Sequence, residues 1–168
     1  MSLIVVIGSI TVATAVKTIS AASRIRMMTA SLDNARRSIY SISQEVARAS
    51  DIYSPTSEFL SSPGQLSLVT TRDLPEGETQ TYVDFFVDDG HLYMKRESIN
   101  FDGMASSEQI TAENVVVENM TFMYISDAIF GPAVRIQITV AYDTNDRVER
   151  DLSRINLVAT RSIRAYAP

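Results

Sequence analysis

Cysteine is absent from the chain, which removes disulfides, thiolate metal sites and cysteine nucleophiles. The absence is neutral on compartment, since an exported protein can do without disulfides. Histidine occurs once, as His91, so a zinc site made of several imidazoles or a Ser-His-Asp triad has a single candidate residue. No glycine-rich phosphate loop and no serine-nucleophile motif occurs. Basic residues are outnumbered, 15 Lys and Arg against 20 Asp and Glu, giving a formal charge of −5. Nucleic-acid binding wants a concentrated basic face, so none is expected here. Without a catalytic constellation the chain is not expected to be an enzyme.

Two further absences are local. No charge occurs from Met1 to Val16, and no proline before Pro55. The first marks an apolar run, Leu3, Ile4, Val5, Val6, Ile7, Gly8, Ile10, Val12 and Val16, ended by Lys17. A membrane-spanning helix needs about 20 apolar residues, so the run is a few short, although Lys17 can snorkel. It fits a signal-peptide core, a buried helix, or a spanning helix lacking residues at its start. A secretory signal needs a basic segment ahead of the apolar run, and none precedes it; the small residues Ala13 and Ala15 could mimic a cleavage site.

What is present turns the run into the start of something longer. Apolar residues make up 45% of the 168 residues, enough for a real core. Ile25, Met28, Leu32, Ala35, Ile39, Ile42, Val46 and Ala49 alternate in steps of three and four, an amphipathic stripe. Arg24, Arg26, Asp33, Arg36, Arg37 and Glu45 lie off it and are free to face solvent. With no proline to break it, one helix from Leu3 to Asp51 would extend roughly 70 Å. A domain of this size cannot bury such a length, so the first half must sit in something other than its own core.

After Pro55 and Pro63-Gly64 the period changes to two. Strands are expected at Gln65 to Thr71, Tyr82 to Val87, His91 to Arg96, Val115 to Ile125, Val134 to Tyr142 and Leu152 to Ile163. Asp88-Asp89-Gly90 gives a tight hairpin, Gly131-Pro132 a connection and Asp143 to Asp146 a turn. Ser98 to Asn114 is looser. Short connections make the sheet mostly antiparallel. The expected class is α+β: a long N-terminal helix, its first part an apolar membrane or filament segment (residues 1–24), its amphipathic part (25–51) packed on a sheet head (65–165). Ile25, Met28, Leu32, Ile39, Ile42 and Val46 would make the helix-to-sheet contact.

The string Ser2-Leu3-Ile4-Val5-Val6-Ile7-Gly8-Ser9-Ile10 resembles the start of the mature helix in the type IV pilin family, which includes the pseudopilins of type II secretion. That family's processing motif is a basic leader ending in glycine, then Phe-Thr-Leu-x-Glu and an apolar run. In that alignment Met1 stands where the motif has its glutamate. The resemblance therefore implies a chain starting several residues late; about five more would complete a membrane span. It also accounts for charge placement. Lys17, Arg24 and Arg26 flank only the far end of the run, which read alone would put the head in the cytoplasm. In the family the leader supplies the missing cytoplasmic charge. In outline, Val115 to Ile125, Val134 to Val140 and Thr160 to Arg164 are similar to minor-pseudopilin and PilW-like heads; a major pilin's C-terminal disulfide has no cysteines here.

The resemblance implies a structural subunit of a type IV pilus or pseudopilus. It would be anchored in the inner membrane by a single pass, head on the periplasmic or extracellular side. Its partners would be the membrane and other subunits, met through the helix, where Gly8, Ser9, Thr11, Ala13 and Ala15 offer a small-residue face. The alternative is a membrane-anchored binding module that never polymerises. Arg24 and Arg26 could meet lipid headgroups, whereas solvation alone accounts for Arg36 and Arg37. His91 beside Asp84, Asp88 and Asp89 is a candidate base or ligand, but also an ordinary exposed residue at a strand start. Asp84, Asp88 and Asp89, or Asp143, Asn145 and Asp146, could hold calcium. Neither group has EF-hand spacing, and turns select the same residues, so no cofactor is expected.

Overall fold

The computed structural model describes residues 2–71, 79–98, 106–127 and 131–163, with side chains in the first helix from Thr11 onward. That helix, α1, runs unbroken from Ser2 to Arg48, 47 residues and about 70 Å. Nothing in its sequence interrupts the backbone ladder. It stops three residues sooner than expected because the sheet captures the chain: Ser50 donates its amide to the Val69 carbonyl and Tyr53 to that of Ser67.

The strands are β1 (Asp51–Ile52), β2 (Leu66–Thr70), β3 (Thr81–Asp88), β4 (His91–Ser98), β5 (Ser106–Gln109), β6 (Val115–Asp127), β7 (Gly131–Tyr142) and β8 (Ile155–Ser162). All pairing is antiparallel, but there are two sheets among the described residues rather than the one expected, ordered β1-β2-β3-β4-β5 and β6-β7-β8. The split falls at Ile110 to Asn114, where the chain leaves β5 and turns into β6. β5 itself lies in the stretch expected to be loose, of which residues 99–105 fall outside the description, as do residues 164 and 165. Between β3 and β4, Asp89 (φ 45°) and Gly90 (φ 75°) form the two-residue turn expected, both in the left-handed region that a type I′ hairpin requires.

A second correction concerns Asp143 to Asp146. It leads into a short helix, α2 (Arg147–Leu152), so the last strand begins at Ile155 rather than Leu152. Asp146 caps α2, accepting from the amides of Val148 (2.9 Å) and Glu149 (3.3 Å). An aspartate followed three residues later by glutamate is the capping-box pattern, the signal that would have found this helix.

The core lies between the sheets and the second half of α1. Phe85, Phe122, Leu66, Leu68, Leu92, Met120, Ile136 and Ile138 are its largest fully buried side chains outside the helix. The helix contributes Ala35, Ile42, Val46 and Ala49. The α+β class is as expected: a long N-terminal helix packed on antiparallel sheets.

Candidate functional site

The helix divides by what surrounds it. From Thr11 to Arg26 every side chain is exposed, including Val12, Val16 and Ile19 at 64%, 58% and 70%. Burial starts at Met27. Thr11, Thr14, Ala15, Thr18 and Ile19 line one shallow apolar groove on the free part. There Thr18 donates to the Thr14 carbonyl at 2.9 Å, returning its hydroxyl to the helix's own backbone and leaving the outer surface apolar. Lys17, Arg24 and Arg26 are exposed, the two arginines at the boundary with the head. The backbone of Leu3, Ile4, Val5, Val6, Ile7, Gly8 and Ile10 is helical, while their side chains lie outside the described residues. Among the described residues, no helix is long and apolar enough to cross a membrane.

The packed half carries a different stripe from the one read in the sequence. Buried positions are Met27, Ser31, Asn34, Ala35, Ser38, Ile42, Glu45, Val46 and Ala49. Ile25 and Met28, expected against the sheet, are exposed at 64% and 44%, and Leu32 and Ile39 are half-buried. The cause is a mismatch of period. A strict 3.5-residue repeat drifts about 20° per heptad on a straight helix. Three heptads back from Ala49 the stripe has therefore turned some 60° off the contact line. In its place, the small side chains of Ser31 and Ser38 are fully buried.

Two polar contacts fix the helix on the head. Asn34 donates to the Ala30 carbonyl and accepts from the Ala112 amide, both at 2.9 and 2.8 Å, tying α1 to the crossing between the sheets. Glu45, read as solvent-facing, is buried and takes a hydrogen bond from Arg96 of β4 at 2.8 Å.

The residues singled out for chemistry are not assembled into a centre. Asp84 sits opposite Lys95 in mid-strand, four residues and about 13 Å along the ladder from Asp88. His91 opens β4 half-buried, with Nδ1 buried and unpartnered. The oxygen of Asp146 is committed to its helix cap. Among the described residues no three His, Cys, Asp or Glu side chains lie close enough to share a metal ion. A cleft of about 290 Å³ between the β3–β4 turn and β6 includes Asp89, Asn119 and Glu118. Glu118 is already held, accepting from Arg154 and, at 3.1 Å, from Arg150.

No protein-family model matches the chain, and no curated sequence does. Among solved structures, a type IV-like pilin from Thermus thermophilus superposes with a TM-score of 0.54 at 10% identity. The match covers 81% of this chain and 98% of that one. At that identity the likeness is one of architecture: the chain has a pilin-like fold.

Proposed function

We propose that the chain is a structural subunit of a pilus- or pseudopilus-like filament, held in the membrane by the free part of α1 before assembly. The supporting observation is the exposure of Val12, Val16 and Ile19 on a helix that has left its own head. Burying one such side chain is worth about 1.5–3 kcal/mol, and the head offers these three no cover. A bilayer and a bundle of like helices bury the same surface, so one segment serves both states. The charge-free run from Met1 to Val16 extends that surface to the chain's start, with Gly8 and Ala13 permitting close helix approach. Lys17 snorkels, and Arg24 and Arg26 meet the headgroups.

The test is fractionation of cells that make the full chain beside their own assembly machinery. The protein should resist alkaline extraction from membranes and appear in the sheared filament fraction. Val16→Asp, on the free face, should lose both. Recovery in the alkaline wash, with none in sheared filaments, would sink the reading. Membrane retention with no filament incorporation would favour the non-polymerising binding module instead.

A further inference from the structure

The two sheets have four outer edges, and three are short or closed. β1 and β5, which flank the larger sheet, have two and four residues. The free side of β6 is covered by the chain itself as far as Phe122: Leu60 and Gly64 donate to the carbonyls of Phe122 and Met120, and Val117 donates to Gly90, leaving only its last few residues. β8 is different. It has eight residues, no register shift interrupts its pairing with β7, and no described group hydrogen-bonds its outer side. Ile163 donates to Pro132, so by alternation of the antiparallel ladder residues 155, 157, 159 and 161 bond β7. The backbone groups of Asn156, Val158 and Thr160 therefore point outward. From Ile155 to Thr160 there is no charge and no proline, the usual protections of an edge.

Two independent features lie on the helix-facing side of this edge. At one end is a groove of about 270 Å³ lined by Ile25, Met28, Thr29 and Leu32 of α1, and on the sheet side by Ile155 of β8 alone. At the other end Arg161 shares the face of Ile155 and Leu157, half-buried, with its Nε buried and without a partner.

We propose that β8 receives an extended strand from a different protein, adding a fourth strand to the smaller sheet. Side chains on one face of that strand fill the groove beside Ile25 and Met28, and a carboxylate at its other end meets Arg161. A second copy is a poor occupant. Its other edges are short or closed, and antiparallel pairing of β8 with β8 would send the two α1 helices in opposite directions. That last objection rests on the subunit reading above, in which α1 helices enter one membrane side by side.

The probe is a fluorescein-labelled peptide, Glu-Thr-Val-Thr-Ile-Thr-Leu, which in antiparallel register sets Glu opposite Arg161 and Leu opposite Ile155. Fluorescence anisotropy with the full chain in detergent should give saturable binding. Val158→Pro removes an outward amide while sparing every bond to β7, a substitution edge strands accept. It should weaken binding at least tenfold with the thermal midpoint nearly unchanged. Ile25→Asp, at an exposed position, should do the same through the groove. Arg161→Gln, or Gln for Glu in the peptide, should cost severalfold and flatten the salt dependence. No binding by the wild type, or equal binding by Val158→Pro and Ile25→Asp, overturns the proposal; so does wild-type self-association abolished by Val158→Pro, which would name a second copy as occupant. Filament incorporation should survive Val158→Pro, which separates failure here from failure of the subunit reading.

Discussion

Glu45 on α1 and Arg96 on β4 meet at 2.8 Å across 51 residues of sequence, with the glutamate side chain only 9% exposed. Arg48, one turn on, approaches the same oxygen at 3.7 Å but is largely solvated. The pair joins the helix to the larger sheet, whereas most helix packing is on β7 and β8. Its value is asymmetric. A buried ion pair contributes little against apolar replacements, yet losing one partner strands a buried charge.

Arg96→Met should therefore destabilise the head by about 2–4 kcal/mol, somewhat under the fully buried range because Arg96 is one-third exposed. The double change Glu45→Leu with Arg96→Met should recover much of that loss. Urea unfolding of both variants checks it. Equal stability of the single and double variants would mean that Glu45 finds other partners, Arg48 among them.

Asn34 does for the crossing between the sheets what Glu45 does for β4. Its oxygen accepts the Ala112 amide, which has no other partner among the described backbone groups. Asn34→Leu leaves that amide unsatisfied and should cost about 1–3 kcal/mol. Hydrogen exchange gives the more specific reading: the Ala112 amide should exchange much faster, while amides in the middle of β7 slow or hasten only with global stability. A uniform change across the head would show that Asn34 acts by packing alone.

The division of α1 was legible in the sequence, because the charge-free run stops at Val16 and a stripe begins near Ile25. So were the strands on either side of Asp89-Gly90, where turn chemistry and period two agree. The helix's contact face was legible only near its end. Ala35, Ile42, Val46 and Ala49 are buried, but the face turns onto Ser31, Asn34 and Ser38, which hydrophobicity cannot flag. The second sheet left no signal either, since strand pattern reports alternation and not which strands share a ladder. Nor does a sequence show an open edge: β8 alternates like any half-buried strand, and only the topology leaves its outer side bare.

That difference in face gives a direct comparison. Ile42→Ala removes a fully buried side chain and should cost about 2–5 kcal/mol. Ile25→Ala, at a position read as equivalent in the sequence, should stay within about 0.5 kcal/mol. Denaturant midpoints of the two variants decide between the heptad stripe and the observed one. A large cost at Ile25 would put the helix back on its heptad register.

Acid should act on the head through Glu118. Its carboxyl is held below the ordinary 4.5, first by the hydrogen bond from Arg154 and then by the charges of Arg154 and Arg150, while partial burial works the other way. Arg154 also pairs with Asp151 at 3.0 Å, so the cluster ties α2 and the start of β8 to β6. Because the folded pKa is the lower one, the unfolded chain binds the extra proton first as pH falls, and stability drops with it. The contribution is complete above about pH 4.5 and disappears as pH falls through the folded value. Urea midpoints taken stepwise below neutrality should show Glu118→Gln less stable than wild type at neutral pH, with the gap closing below pH 4.5. A gap that stays constant across that range would mean that the glutamate's charge has no part in holding α2 on the sheet.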